Sequence, residues 1–225
     1  MGFPATMDEE SDRQAGKPNL LLLEICLAGQ RQRKRAHGKA DAQTENDGVR
    51  RRPTELKVRR RPSENAWELV HPRGVLERTD DLDEVQKMLD AGECDVAIDE
   101  LRWLLNGCSD CVLAHKMLGE LAAADGDFRL ARGHFGYAYE IGISALPPGG
   151  LPGPLPYRLP ANRAFFEAAK GLAWCLHELK KPKMAFGVLA ELLKLDPSDP
   201  LKAKEWMEKW KAEAVEGKTL ERGGG

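Results

Sequence analysis

Four pairs of small or apolar residues recur at a separation of 34: Gly92 and Gly126, Ala97 and Ala131, Leu101 and Phe135, Leu104 and Ala138. Agreement in one register over that many positions indicates an internal repeat, the mark of a chain built by stacking one small unit on copies of itself. A third copy follows an insertion. Ala185, Leu189 and Leu192 reproduce the spacing of Ala131, Phe135 and Ala138, but Ala185 lies 54 residues after Ala131 rather than 34. The surplus coincides with the stretch from Pro147 to Pro160, which holds six prolines and three glycines in fourteen positions. Proline removes a backbone donor and clashes with the preceding turn, so no helix crosses that stretch.

Apolar residues at helical spacing place seven helices around this frame. Leu82, Val85, Met88 and Leu89 mark the first, capped by Thr79 or Asp80 and ended by Gly92. Val96, Ala97, Leu101, Leu104 and Leu105 mark the second. Val112, His115, Leu118 and Ala122 mark a third, capped by Ser109 or Asp110, and Leu130, Ala131, His134, Phe135, Ala138 and Ile141 a fourth. A fifth spans about 163–179 and a sixth 182–195. Asp199-Pro200 starts a seventh, where proline's missing donor costs nothing, and Ala203, Trp206, Met207, Trp210 and Ala214 form its apolar stripe. Upstream, Trp67-Glu68-Leu69-Val70 reads as a helical turn ending before Pro72. Residues 63–78 are expected to lie against the first helix, and no convincing strand alternation is found.

At this point the chain resembles the tetratricopeptide repeat family. Leu118-Gly119, Gly126-Asp127, Ala131, Phe135 and Ala138 occupy that family's pattern positions in order. Leu172-Ala173, Ala185, Leu189, Leu192 and Pro197 form the third copy, with Lys180 at the usual turn glycine, and Glu84-Val85 stands in the first copy where Leu-Gly is usual. The resemblance covers about 78–198. It implies an all-α fold of antiparallel helix hairpins in a right-handed superhelix, about three repeats plus a C-terminal capping helix. Leu118, Gly119, Ala131, Phe135, Ala138 and Ala185 would be its packing residues. Small residues let paired helices approach to about 8–10 Å, and a hairpin too thin to bury its own apolar face is stabilised by its neighbours. Trp206 and Trp210 would cover the last face, or a neighbouring subunit. The resemblance also implies a concave groove lined by the first helix of each pair, which here would present Gln86, Lys116, Glu120, Ala123, Lys170, Trp174 and His177. Two lysines beside a tryptophan point to an acidic or aromatic-containing segment of a partner protein. The lysine, asparagine and arginine set of chaperone-tail-binding members is not reproduced.

Charge divides the chain. Residues 1–62 carry 14 basic and 9 acidic side chains, and residues 63–225 carry 20 basic and 27 acidic ones. The first part reads as a disordered basic arm, the second as a helical domain over 63–215 followed by a disordered tail, 216–225. Arg33, Lys34, Arg35, Arg51, Arg52, Arg60 and Arg61 are candidate phosphate contacts for weak, salt-sensitive binding to nucleic acid or an anionic surface. No aromatic residue is interleaved among them between 31 and 61, which argues against base stacking. A nucleic-acid- or ribosome-associated factor using this arm is the alternative to the groove-binding adaptor. The apolar run 20–28 is interrupted by Glu24 and is far short of the roughly 20 residues of a membrane-spanning helix. A leucine-rich export signal, a docking helix or a sticky patch in the arm are its readings. In the insertion, Leu151, Leu155, Tyr157 and Leu159 can fold the prolines back onto the helices at the mouth of the groove.

Five cysteines (Cys26, Cys94, Cys108, Cys111, Cys175) without regular spacing form no disulfide framework, and a reducing, cytoplasmic setting is the plainer reading. Cys108 and Cys111 have CxxC spacing with His115 four residues on, but Cys94 lies at the far end of the preceding helix and no second CxxC exists, so small buried thiols are expected rather than zinc or redox chemistry. No nucleophile elbow, phosphate loop, HExxH or dinucleotide fingerprint occurs, so neither an enzyme nor a cofactor is expected.

Overall fold

The computed structural model describes residues 55–222. It opens with a hairpin of strands β1 (Lys57–Arg61) and β2 (Ala66–Val70). A short helix α1 (Arg73–Leu76) follows, then three helical pairs: α2 (Thr79–Asp90) with α3 (Cys94–Gly107), α4 (Val112–Ala124) with α5 (Phe128–Ser144), and α6 (Pro160–Glu178) with α7 (Pro182–Leu195). Helix α8 (Ala203–Arg222) closes the described chain and packs on α7.

The turns inside the three pairs are hydrogen-bonded alike. Glu93 N–H reaches Met88 O at 2.9 Å, Asp127 N–H reaches Ala122 O at 3.0 Å, and Lys181 N–H reaches Leu176 O at 2.8 Å. One residue earlier, Gly92, Gly126 and Lys180 donate to Leu89 O, Ala123 O and His177 O. This is the Schellman pattern, which satisfies the last carbonyls of a helix through one left-handed residue. That residue is Gly92 (φ 80°), Gly126 (φ 77°) and Lys180 (φ 58°). The third pair therefore keeps the turn although it carries a side chain where the others have none.

The repeat positions form the core. Ala97, Ala131 and Ala185 are fully buried, as are Leu101, Phe135 and Leu189. The Phe135 ring fills a slot made by two glycines: a Cβ on Gly119 of α4 or on Gly171 of α6 would stand 2.7 Å from it. Phe135 against Gly171 and Gly142 against Phe165 also show that α5 and α6 run antiparallel. Two apolar clusters meet at α4. Met117, Leu118 and Leu121 belong to the cluster of α2 and α3, whereas Val112, Ala122 and Ala123 belong to the larger one of α5 to α8 and the hairpin. A helix shared by two cores has no face left over, and every residue of α4 is buried or half-buried.

The hairpin is a departure from the sequence reading. Trp67 to Val70 is not a helical turn but the strand β2, antiparallel to β1 with Arg59 opposite Glu68. Alternation is absent because Ala66, Glu68 and Leu69 are all buried, so two faces of the strand are covered. It packs on α6, not on the first helix. Strand β1 also lies inside the segment assigned to the arm, so the boundary at 62 cuts through a folded hairpin. The fold is mostly helical with this small sheet added. Asn162 at the start of α6, fully buried, fastens the pieces: its Oδ1 accepts from Leu69 N–H at 2.8 Å, and its Nδ2 donates to Pro156 O at 2.8 Å and Trp67 O at 3.2 Å. The proline-rich stretch is thereby held on both sides, since Trp67 N–H also reaches Pro154 O and Leu155 N–H reaches Leu195 O, each at 2.8 Å. Leu155 and Leu159 are buried beneath it.

Two caps and one helix start differ from expectation. Thr79 and Asp80 lie within α2 and make no cap; the Thr79 hydroxyl donates to Leu76 O. Cys111 rather than Ser109 or Asp110 precedes α4, and Asp110 accepts from Glu55 N–H instead. Asp199 does cap the last helix, taking Ala203 N–H and Lys204 N–H, but α8 starts at Ala203 and not beside Pro200.

Candidate functional site

Helices α4 and α6 lie side by side, with the insertion crossing at one end and α8 at the other. Their common surface holds Lys116 and Glu120, one turn apart on α4, and Glu167 on α6. Lys116 Nζ is 3.1 Å from Glu120 Oε1 and 3.3 Å from Glu167 Oε2. The Tyr157 hydroxyl, from the insertion, donates to Glu167 Oε1 at 2.8 Å. Burial opposes the Lys116 charge, but Glu120 and Glu167 outweigh it and raise its affinity for the proton. Burial raises the Glu120 carboxyl against the pull of Lys116, and it pushes the Tyr157 hydroxyl up to about 12, helped by Glu167. With both carboxylates ionised, the trio carries one net negative charge. Lys116, read in the sequence as part of a basic lining, is thus outweighed by its own neighbours, whereas Lys170 lies outside the trio.

The α6 residues meet α8. Lys170 Nζ lies 4.5 Å from the centre of the Trp206 ring, and burial lowers this lysine to about 8, with Asp199 and Glu205 working the other way. His177 stacks on Trp210, rings 4.2 Å apart and nearly parallel, and its Nε2 is 3.4 Å from Glu213. Trp210 is buried and Trp206 half-buried against the same cluster. Trp174, between Lys170 and His177, takes the edge of Phe128 at 5.2 Å. Ala123 is buried where α4 meets the larger core. Gln86 stands apart on α2, donating to Asp90. Of the seven residues expected in a groove, Lys116 and Glu120 share one network, and Lys170, Trp174 and His177 form a line beneath or beside α8. Glu167, Tyr157 and Trp206 complete the surface. Glu167 was recoverable from the repeat, because it stands one turn before Lys170 on the same helix face.

A second polar cluster joins α4 to α5. His115 Nε2 is 3.1 Å from Ser109 O, and a carbonyl only accepts, so the proton sits on Nε2. Nδ1 then accepts from His134 Nδ1–H at 3.4 Å, and the Tyr137 ring lies 4.6 Å from His115. Burial lowers His115 to about 4 and also lowers His134, the latter with Arg102 acting in the same sense. Separations of 19 residues gave this pair no sequence signature.

Cys108, Cys111 and Cys175 are free thiols, and burial raises all three, Cys175 to about 12. Cys94 is disulfide-bonded and so is not the small buried thiol expected beside the CxxC pair. Among the described residues no group of three or more histidine, cysteine or acidic side chains could hold a metal ion, and no helix is long and apolar enough to cross a membrane. Arg33, Lys34, Arg35, Arg51 and Arg52, like the apolar run 20–28, lie outside the described residues. Arg61 is committed within the hairpin, its Nε 3.0 Å from Glu64 and its Nη1 3.0 Å from Glu68. Hydrogen bonds from Arg59 in particular hold the nearly buried Glu68 carboxyl below the usual range. Arg60 is exposed and donates to Asn65 Oδ1 at 3.5 Å. No protein family, no curated protein and no solved structure matches this chain in comparison.

Proposed function

We propose that this protein is a non-enzymatic adaptor of the tetratricopeptide type, which holds a segment of a partner protein against the surface of α4, α6 and α8. The observation that carries the reading is the polar, aromatic-flanked surface between two first helices. Packing alone would place apolar residues there, yet the chain sets Lys116, Glu120 and Glu167 in a desolvated trio one helical turn from the Lys170–Trp206 pair. Half-buried charges of this kind add little net stability, and they specify what can bind. The sign favours a partner segment bearing lysine or arginine rather than the acidic segment the two lysines suggest. Its cation would sit beside Glu167, the more exposed of the two carboxylates.

Affinity capture from the native cell with the full chain tests this. Glu167→Lys should remove the specific partner, and Lys116→Glu/Lys170→Glu should alter the partner list. Identical lists for wild type and both variants would take this surface out of the account. The arm remains the second reading, favoured by Lys57 and Arg60, which stay exposed on β1 and extend the basic run into the folded domain. Residues 1–54 removed, a nucleic-acid contact made by the arm should be lost in low-salt filter binding, while a contact made by α4 and α6 should persist.

A further inference from the structure

The repeat register also aligns residues that face water. Val96, Leu130 and Met184 precede Ala97, Ala131 and Ala185 on α3, α5 and α7, and they are 53%, 49% and 57% exposed. Two turns along the same helix face, Trp103 is 59% and Tyr137 43% exposed. These five side chains lie on the second helix of each pair, away from the α4–α6 surface. Between them, Gly133 and Gly187 occupy equivalent positions with open space where a Cβ would stand. A mid-helix glycine weakens the helix relative to alanine, and none of the described residues uses the room these two leave. The row is charged at its ends. Glu93 and Asp95 stand at the start of α3, whereas Lys180, Lys181 and Lys183 stand at the start of α7, all of them exposed.

We propose that a second copy of this chain covers this face. Helix α5 runs antiparallel to α4 and α6, and short turns join α3 to α4 and α6 to α7, so α3, α5 and α7 point the same way. A two-fold axis along α5 lays α3 of one copy over α7 of the other, start over start. Glu93 and Asp95 then meet Lys181 and Lys183, twice by symmetry, and Val96 meets Met184 twice. Helix α5 meets its own copy where Gly133 admits close approach. The five apolar side chains expose on the order of 500 Å². A stable pair buries about 800 Å² per partner, and the flanking charged ends supply the difference. The acidic and basic ends are what select a second copy over an unrelated apolar partner, because one chain carries both halves of the match.

Sedimentation velocity of the full chain over a range of concentrations tests this, at low and high salt. The wild type should be a dimer whose dissociation constant rises with salt. Trp103→Glu/Leu130→Glu should be monomeric throughout, with circular dichroism unchanged; Met184→Glu serves if that variant fails to fold. Lys181→Glu/Lys183→Glu and Glu93→Lys/Asp95→Lys should each weaken self-association by roughly tenfold or more. Mixed together, the two should form the heterodimer, since each then offers what the other lacks. A monomeric wild type, a dimer indifferent to Trp103→Glu/Leu130→Glu, or a mixture that behaves as the sum of its parts would each overturn the proposal.

Discussion

Glycine to alanine should have opposite signs at Gly119 and Gly187. Both sit inside helices, where alanine gains about 1 kcal/mol over glycine. At Gly187 a Cβ meets none of the described residues within 4 Å, so the whole gain should appear as stability. At Gly119 the Cβ would stand 2.7 Å from Phe135 Cδ1 and Cε1, against about 3.5–4.0 Å for a comfortable carbon contact. The ring cannot retreat, because Gly171 closes the slot on its other side. Overpacking of that kind costs about 1–3 kcal/mol, which exceeds or cancels the helix gain. The net expectation is a loss of about 1 kcal/mol at Gly119, and a gap of about 2 kcal/mol between the two variants. Phe135→Leu should cost less in the Gly119→Ala background than alone, because the new methyl fills part of the space the ring leaves, giving a coupling of about 1 kcal/mol. Urea denaturation followed by circular dichroism, with midpoints and slopes for the wild type and all four variants, measures this. Equal signs at Gly119 and Gly187, or strict additivity with Phe135→Leu, would refute the slot as the reason for Gly119.

Asn162→Leu should orphan Leu69 N–H, Pro156 O and Trp67 O at once, costing about 3 kcal/mol or more, and proteolysis should open the 147–160 stretch before the helices. Lys180→Gly relieves a left-handed lysine and should stabilise by up to about 1 kcal/mol in the same assay. His115 binds its proton at about 4 when folded and near 6.5 when unfolded, so acid favours the unfolded chain. Stability should be whole above about 6.5 and fall by up to about 3 kcal/mol as pH drops to about 4. His115→Gln should flatten that slope, and an unchanged pH profile would remove the imidazole pair from the account.

What the sequence disclosed follows from how the fold is made. Repeat positions such as Ala97, Ala131 and Ala185 are legible because each copy solves the same packing problem, so the pattern survives even where Lys180 replaces glycine. Hidden features depend on partners far along the chain. The strand β2 lacks alternation because α6 and the insertion cover it, and Asn162, two of whose three bonds reach back 93 and 95 residues, looks like any helix-start asparagine. On the α4–α6 surface, Lys116 and Lys170 were found by register, but their meaning turns on Glu167, Tyr157 and Trp206, which other elements bring to them.

A peptide-display selection on the full chain puts the proposed recognition surface to the most direct test. Enrichment of lysine- or arginine-bearing peptides, lost with Glu167→Lys and retained with Trp103→Glu/Leu130→Glu, is the predicted outcome. Enrichment of acidic peptides, or of peptides whose binding ignores Glu167→Lys, would contradict it.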